Sequence, residues 1–152
     1  MDKNKQPGIS FIDVILKELT FSRKEGFSEK PILNIRLESE ASISDNGDNL
    51  TYEMTCEIYD ESKHFNIKCT MIGFFSPIPG QENMSLREYS ELNAPAAIYP
   101  YIRETVAATT IKAGLPPVII PPTNLSIIKK KNVVKKPDRL SPTSEGKENQ
   151  GS

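Results

Sequence analysis

The side chains that could do covalent or metal chemistry are few, and their spacing is unfavourable. Cys56 and Cys69 have no second pair with which to complete a tetrahedral zinc site. Each falls on the apolar side of an alternating pattern, as a small buried hydrophobe would in a reducing compartment. His64, the single histidine, lies on the polar side of its pattern beside a turn. It reads as a surface residue, because a catalytic or metal-bound imidazole needs several placed partners. Arg103 and Glu104 form a tempting charged pair, but adjacent helical residues do not share a face and cannot converge on one substrate atom. The sequence has neither a phosphate-cradling glycine loop nor a nucleophile elbow. The chain is therefore expected to be a non-enzyme, with neither metal nor cofactor.

Charge is more informative. Residues 126–152 carry seven Lys/Arg and three Asp/Glu, whereas residues 1–125 carry 12 basic and 17 acidic residues. An acidic body with a basic tail is the outcome. The run "KKKNVVKK", residues 129–136, could meet nucleic acid, but it lacks aromatic residues for base stacking. A hydrophobic content of 37% with 12 prolines implies that part of the chain stays outside a core. The sequence holds no long apolar span and opens on a polar stretch without a signal-peptide core, so the expected location is the cytoplasm.

These side chains must be positioned by a sheet and a helix. Leu33, Ile35, Leu37, Ala41 and Ile43 alternate with polar residues; so do Tyr52, Met54, Cys56 and Ile58, and then Phe65, Ile67, Cys69 and Met71. Such alternation gives strands with one apolar and one polar face. Asn46-Gly47 marks a tight turn. Residues 9–22 fit either a helix face or a strand buried on parts of both faces. Ser85 and Glu88 have capping-box spacing, predicting a short helix. Asn93 then reads as the N-cap of a separate main helix, with Pro95 in its first turn and Gly114 just past its end. Residues 1–8 are expected to be a disordered leader, 9–128 the domain and 129–152 a basic, mostly disordered tail.

The main helix is apolar nearly all round, with Ile98, Ile102, Val106 and Ile111 on one side and alanines about them. A helix of that kind must be covered on both sides, and in so small a domain a second subunit is the expected cover.

The segment "IYPYIRETV…GLPPVIIPPTNL" resembles the SecB family of bacterial protein-export chaperones. The resemblance rests on Tyr99-Pro100-Tyr101, Arg103-Glu104, Gly114-Leu115-Pro116 and Pro122-Thr123-Asn124-Leu125. "FIDVILKELTFS" and "GFFSPIPG" are similar to the family's first strand and the end of its fourth. The implied fold is α+β: a four-stranded antiparallel sheet meander with one long helix packed on it, assembling as a dimer of dimers. The implied activity is that of an ATP-independent holdase, which keeps precursor polypeptides unfolded for export by binding them in apolar surface grooves. Carried onto this chain, the client groove comprises Phe27, Leu33, Ile35, Leu37 and Phe65, with Phe74 and Phe75. The oligomer interface comprises Ile98, Tyr99, Tyr101, Ile102, Val106 and Ile111.

Two departures from the family pattern bear on partners. The acidic face that recruits the SecA motor matches Glu18, Ser22 and Lys68 here, so only one carboxylate is kept. Glu38, Glu40, Glu53 and Glu57 keep the face acidic, giving Glu18, Glu53 and Glu57 as the candidate motor-binding set. The family's second helix and acidic tail are replaced by the basic end. A SecB-like chaperone dedicated to an antitoxin or another single partner is the alternative reading. A scaffold or nucleic-acid adaptor acting through the basic tail is the third.

Overall fold

The computed structural model describes residues 6–25, 32–62 and 64–121, together with the backbone of 129–130 and 134–136. Four long strands, β1 (Ile9–Arg23), β2 (Leu33–Ser44), β3 (Leu50–Asp60) and β4 (Phe65–Pro77), precede a single helix, α1 (Leu86–Lys112). Two short strands follow, β5 (Lys129–Lys130) and β6 (Val134–Lys136). The sheet order is β1-β4-β3-β2, and both short strands pair with β2. The β2–β3–β4 hairpins form the expected antiparallel meander. Because β1 pairs with β4, the chain crosses from one edge of the meander to the other between β1 and β2.

The alternating sequences become strands because one face of each can be buried under the helix. Leu50, Tyr52, Met54, Cys56 and Ile58 of β3 lie buried beside Ile67, Cys69, Met71 and Phe75 of β4. Each fully buried large apolar side chain contributes about 1.5–3 kcal/mol relative to exposure. The β2–β3 turn forms at Asn46-Gly47, where the Gly47 amide donates to the Ser44 carbonyl and the Asn46 carboxamide oxygen accepts from the Asp48 amide.

The two readings left open for residues 9–22 resolve to a strand. Irregularities between Phe11 and Asp13 and between Leu16 and Glu18 shift its register against β4. Each shift resets the alternation, so Phe11, Val14, Leu16, Leu19 and Phe21 all come opposite core positions of β4 although their spacing is not two.

The helix differs from the sequence expectation. Ser85 does cap a helix, its Oγ accepting the Glu88 amide at 3.1 Å, but that helix runs without a break through Asn93 to Lys112. Asn93 is an interior residue, and Pro95 and Pro100 both lie inside the helix. Proline deprives the carbonyl four residues earlier of its donor. At Pro100 that carbonyl belongs to Ala96, and both residues are exposed. The C-terminal end is as expected. Gly114, at φ 73°, follows the Ala113 cap; its amide donates to Ile111 and the Leu115 amide donates to Thr110, a pairing that favours glycine at the left-handed position.

At the other end of the chain, residues 6–8 of the expected leader are tied to the turn after β4. The Ile78 amide donates to the Gly8 carbonyl and the Asn83 carboxamide to the Gln6 carbonyl.

Candidate functional site

The Tyr-Pro-Tyr-x-Arg run acts as a clamp. Past Gly114 the chain turns back along α1. There the Tyr99 hydroxyl donates to the Pro121 carbonyl at 2.7 Å, and Arg103 Nε donates to the Ile120 carbonyl at 2.7 Å. Farther along, Thr110 Oγ1 accepts the Val118 amide at 3.0 Å. Burial pushes the Tyr99 phenol above its usual range and keeps it a donor. Arg103 also stands 6.0 Å from the centre of the Tyr99 ring. These bonds press Ile120 into the core while leaving Ile119 69% exposed. Tyr101 leans the other way, with its ring 6.1 Å from that of Phe11 on β1.

The expected groove residues divide. Leu37, Phe65 and Phe75 are buried in the protomer's core, and Phe65 packs edge-on against Phe21. Ile35 is 44% exposed and Leu33 partly so, both at the start of β2. Phe74 and Phe75 cannot serve one surface, because neighbours along a strand point to opposite faces. Phe74 pairs with Thr51 on the face away from the helix, whereas Phe75 pairs with Leu50 inside. Phe27 lies outside the described residues. Ile32 and Ile119, 77% and 69% exposed, are large apolar residues that the sequence reading left out. An isoleucine next to an extended proline segment was the available signal for Ile119.

The expected interface residues divide in a similar way. Ile98, Ile102 and Val106 are fully buried against the chain's own sheet, and Tyr99 is held by the returning segment. Tyr101 and Ile111 remain exposed, together with Leu92. Ile12, Ile15, Leu16 and Leu19 of β1 are also exposed, Ile15 opposite Ile72 on the outer face and Leu16 and Leu19 opposite Met71 and Cys69 on the core face. Among the described residues, β1 pairs with β4 alone, which leaves its other edge free.

Face-to-face registers order the charges on the sheet's outer side. One row runs Arg36, Glu57, Lys68, Thr20; the next Glu38, Thr55, Thr70, Glu18; the next Glu40, Glu53, Ile72, Ile15. Lys17 Nζ pairs with Glu53 at 3.0 Å, and Lys68 Nζ approaches Glu18 at 3.9 Å. Two of the three expected motor-binding carboxylates, Glu18 and Glu53, thus have a lysine of this same chain beside them. Such exposed pairs add only about 0.2–1 kcal/mol each, yet they reduce the charge offered to a basic partner. Glu38 and Glu40, with Ser39, Glu53 and Thr55, line a small polar concavity.

The cysteines sit far from any such surface. Cys56 and Cys69 are register partners on the core face of β3 and β4, and both are free thiols. Burial pushes them up to about 12 and about 11. Among the described residues, no three His, Cys, Asp or Glu side chains cluster as metal ligands, and no helix is long and apolar enough to cross a membrane.

Comparison with known proteins agrees with this architecture. Residues 2–135 match the family model described as preprotein translocase subunit SecB. An uncharacterised protein of Methanocaldococcus jannaschii is 27% identical over 133 residues, covering 83% of this chain and 85% of that one. The protein-export protein SecB of Hahella chejuensis is 30% identical over 132 residues, covering 82% of each. Among solved structures, the SecB-like chaperone of Mycobacterium tuberculosis, in complex with a ChAD peptide from the HigA1 antitoxin, superposes with a TM-score of 0.63. That match has 17% identity and covers 76% of this chain and 88% of the other. With the family model spanning nearly the whole chain and the strand-and-helix architecture shared, the chain belongs to the SecB family of chaperones.

Proposed function

We propose that this protein is an ATP-independent holdase of the cytoplasm that binds non-native polypeptide on exposed apolar surface. The observation that carries this reading is the apolar surface left open by the fold. Ile32 just before β2, Ile35 within it, and Ile119 on the clamped segment are large apolar side chains left exposed. Exposed apolar surface gives non-directional affinity that tolerates many sequences. Assembly as a dimer of dimers belongs to the same proposal. It is supported by the free, isoleucine-bearing edge of β1 and by the exposed Tyr101 and Ile111 of α1. Unpaired strand edges and apolar helix faces are surfaces that subunits cover. Native mass spectrometry at micromolar concentration tests the assembly, and a monomer alone would contradict it.

Delivery to the SecA motor is the family's general role, and export precursors are the first client class for this chain. A chaperone dedicated to one partner is the second reading, and the ion pairs Lys17–Glu53 and Lys68–Glu18 favour it. Lysines standing beside the carboxylates weaken the attraction for a basic motor tail. The Mycobacterium tuberculosis neighbour is in complex with a peptide from an antitoxin, which agrees with this second reading. Titration with the SecA C-terminal tail at low salt separates the two. Saturable binding supports export, and absence of binding supports the dedicated chaperone, with holdase activity common to both.

A further inference from the structure

Cys56 and Cys69 face each other across β3 and β4, and the holdase surface uses neither. We propose that the pair is a latent redox staple. When the β3–β4 hairpin opens in the presence of a low-molecular-weight disulfide, the two thiols join as an internal disulfide, and the hairpin recloses in its native register with the strands tied together. This goes beyond the holdase reading and does not depend on it.

Geometry carries the pairing. The register of β3 against β4 runs without a shift from Leu50 opposite Phe75 to Tyr59 opposite Asn66, which sets Cys56 directly opposite Cys69. One position away, on the other face, Thr55 Oγ1 and Thr70 Oγ1 meet at 2.9 Å, so the strands are closely apposed here. Directly opposed residues of antiparallel strands have Cα atoms about 4.5–5.5 Å apart, inside the roughly 4.4–6.8 Å range of disulfides. Their Cβ atoms, also about 4.5–5.5 Å apart, must approach by roughly 1 Å. Met54 and Met71, the next pair on the core face, have unbranched side chains that can take up such a shift.

Burial sets the condition. Both thiols are enclosed in the core and held protonated there, so the closed chain offers an oxidant neither access nor a thiolate. Opening restores both. One cysteine thiolate attacks a sulfur of the small disulfide, forming a mixed disulfide and releasing one small thiolate. The second cysteine thiolate then attacks the protein sulfur of that mixed disulfide, forming the Cys56–Cys69 bond and expelling the second small thiolate. The protein loses two electrons and two protons, and the oxidant leaves as two thiols. Closing residues 56–69 into a loop should lower the unfolding equilibrium constant about a hundredfold. A chain that has opened under oxidising conditions is thereby returned to a form that opens less, and a small dithiol reverses the change.

The test incubates the full chain with oxidised glutathione, in buffer and in urea below the unfolding midpoint, followed by alkylation, intact mass measurement and non-reducing peptide mapping. The expected product has lost two hydrogens, carries a Cys56–Cys69 cross-link and no glutathione, and forms faster as urea is raised. Its unfolding constant from urea titration should be about a hundredfold smaller than that of the reduced chain, and dithiothreitol should restore the original midpoint. Cys69→Ala should stop at a glutathione adduct and gain no stability. Mixed disulfides accumulating on the native chain without the internal bond would overturn the pairing, as would thiols inert at every urea concentration. An internal bond that lowers stability or prevents refolding would overturn the staple. Formation at a rate independent of urea would overturn control by opening.

Discussion

Gly73 lies directly beneath Ile98: a Cβ built on Gly73 would stand 2.6 Å from the Cδ1 of Ile98 and 3.0 Å from its Cγ1. The middle of β4 carries no side chain at this point so that α1 can approach the sheet. Gly73→Ala should therefore destabilise the protein by about 1–3 kcal/mol through overpacking, and Gly73→Ala/Ile98→Val should recover part of the loss. Urea denaturation of the single and double variants checks both.

The clamp makes a separate prediction. Tyr99→Phe removes one hydrogen bond and should cost about 1 kcal/mol; Arg103→Met should cost roughly 1.5–3 kcal/mol because its bond is charge-assisted. Both should raise amide exchange across residues 115–121 while leaving β3 and β4 protected. Equal loss of protection throughout the sheet would show that the clamp is not local.

Exposed and buried members of the expected groove should behave oppositely. Ile35→Ser/Ile119→Ser should lower aggregation suppression with stability changed by no more than about 0.5 kcal/mol, as for other exposed substitutions. Phe65→Ser should instead destabilise by about 3–5 kcal/mol, since Phe65 is fully buried. Melting curves run beside light-scattering assays separate the two effects.

The buried thiols predict a pH dependence. Cys56 and Cys69 are raised from 9.0 to about 12 and about 11, so the folded state holds protons that the unfolded state gives up. The stability they contribute is fully present below pH 9 and is lost as pH rises from there towards 11 and 12. Unfolding free energy should fall between pH 9 and pH 11, and less steeply in Cys56→Ala/Cys69→Ala. Ellman's reagent should react with the native thiols only as fast as the protein opens.

The strands β2 to β4 were legible because a sheet buried on one face imposes period two, and nothing interrupts it from Leu33 to Met71 except the turns. The first strand was not, because two register shifts break its alternation. The helix start was misplaced at Asn93 because Ser85 and Asn93 are both good capping residues. Which one caps depends on whether the sheet offers a surface to the intervening turns, and burial of Leu86, Tyr89 and Ser90 shows that it does. The partition of Phe74 and Phe75 was available from the strand period itself. The role of Arg103 was not, since its partner is a backbone carbonyl, which every residue possesses. The pairing of the tail with β2 was equally hidden, because a lysine-rich run carries no strand signal.

The holdase proposal requires that this chain hold non-native polypeptide without nucleotide. The direct measurement is light scattering from an unfolded reporter protein diluted out of urea, with increasing amounts of the full chain and no ATP. Scattering should fall to baseline at near-stoichiometric ratios, with the reporter recovered in a soluble complex. Undiminished scattering at large molar excess of a folded, assembled chain would contradict it.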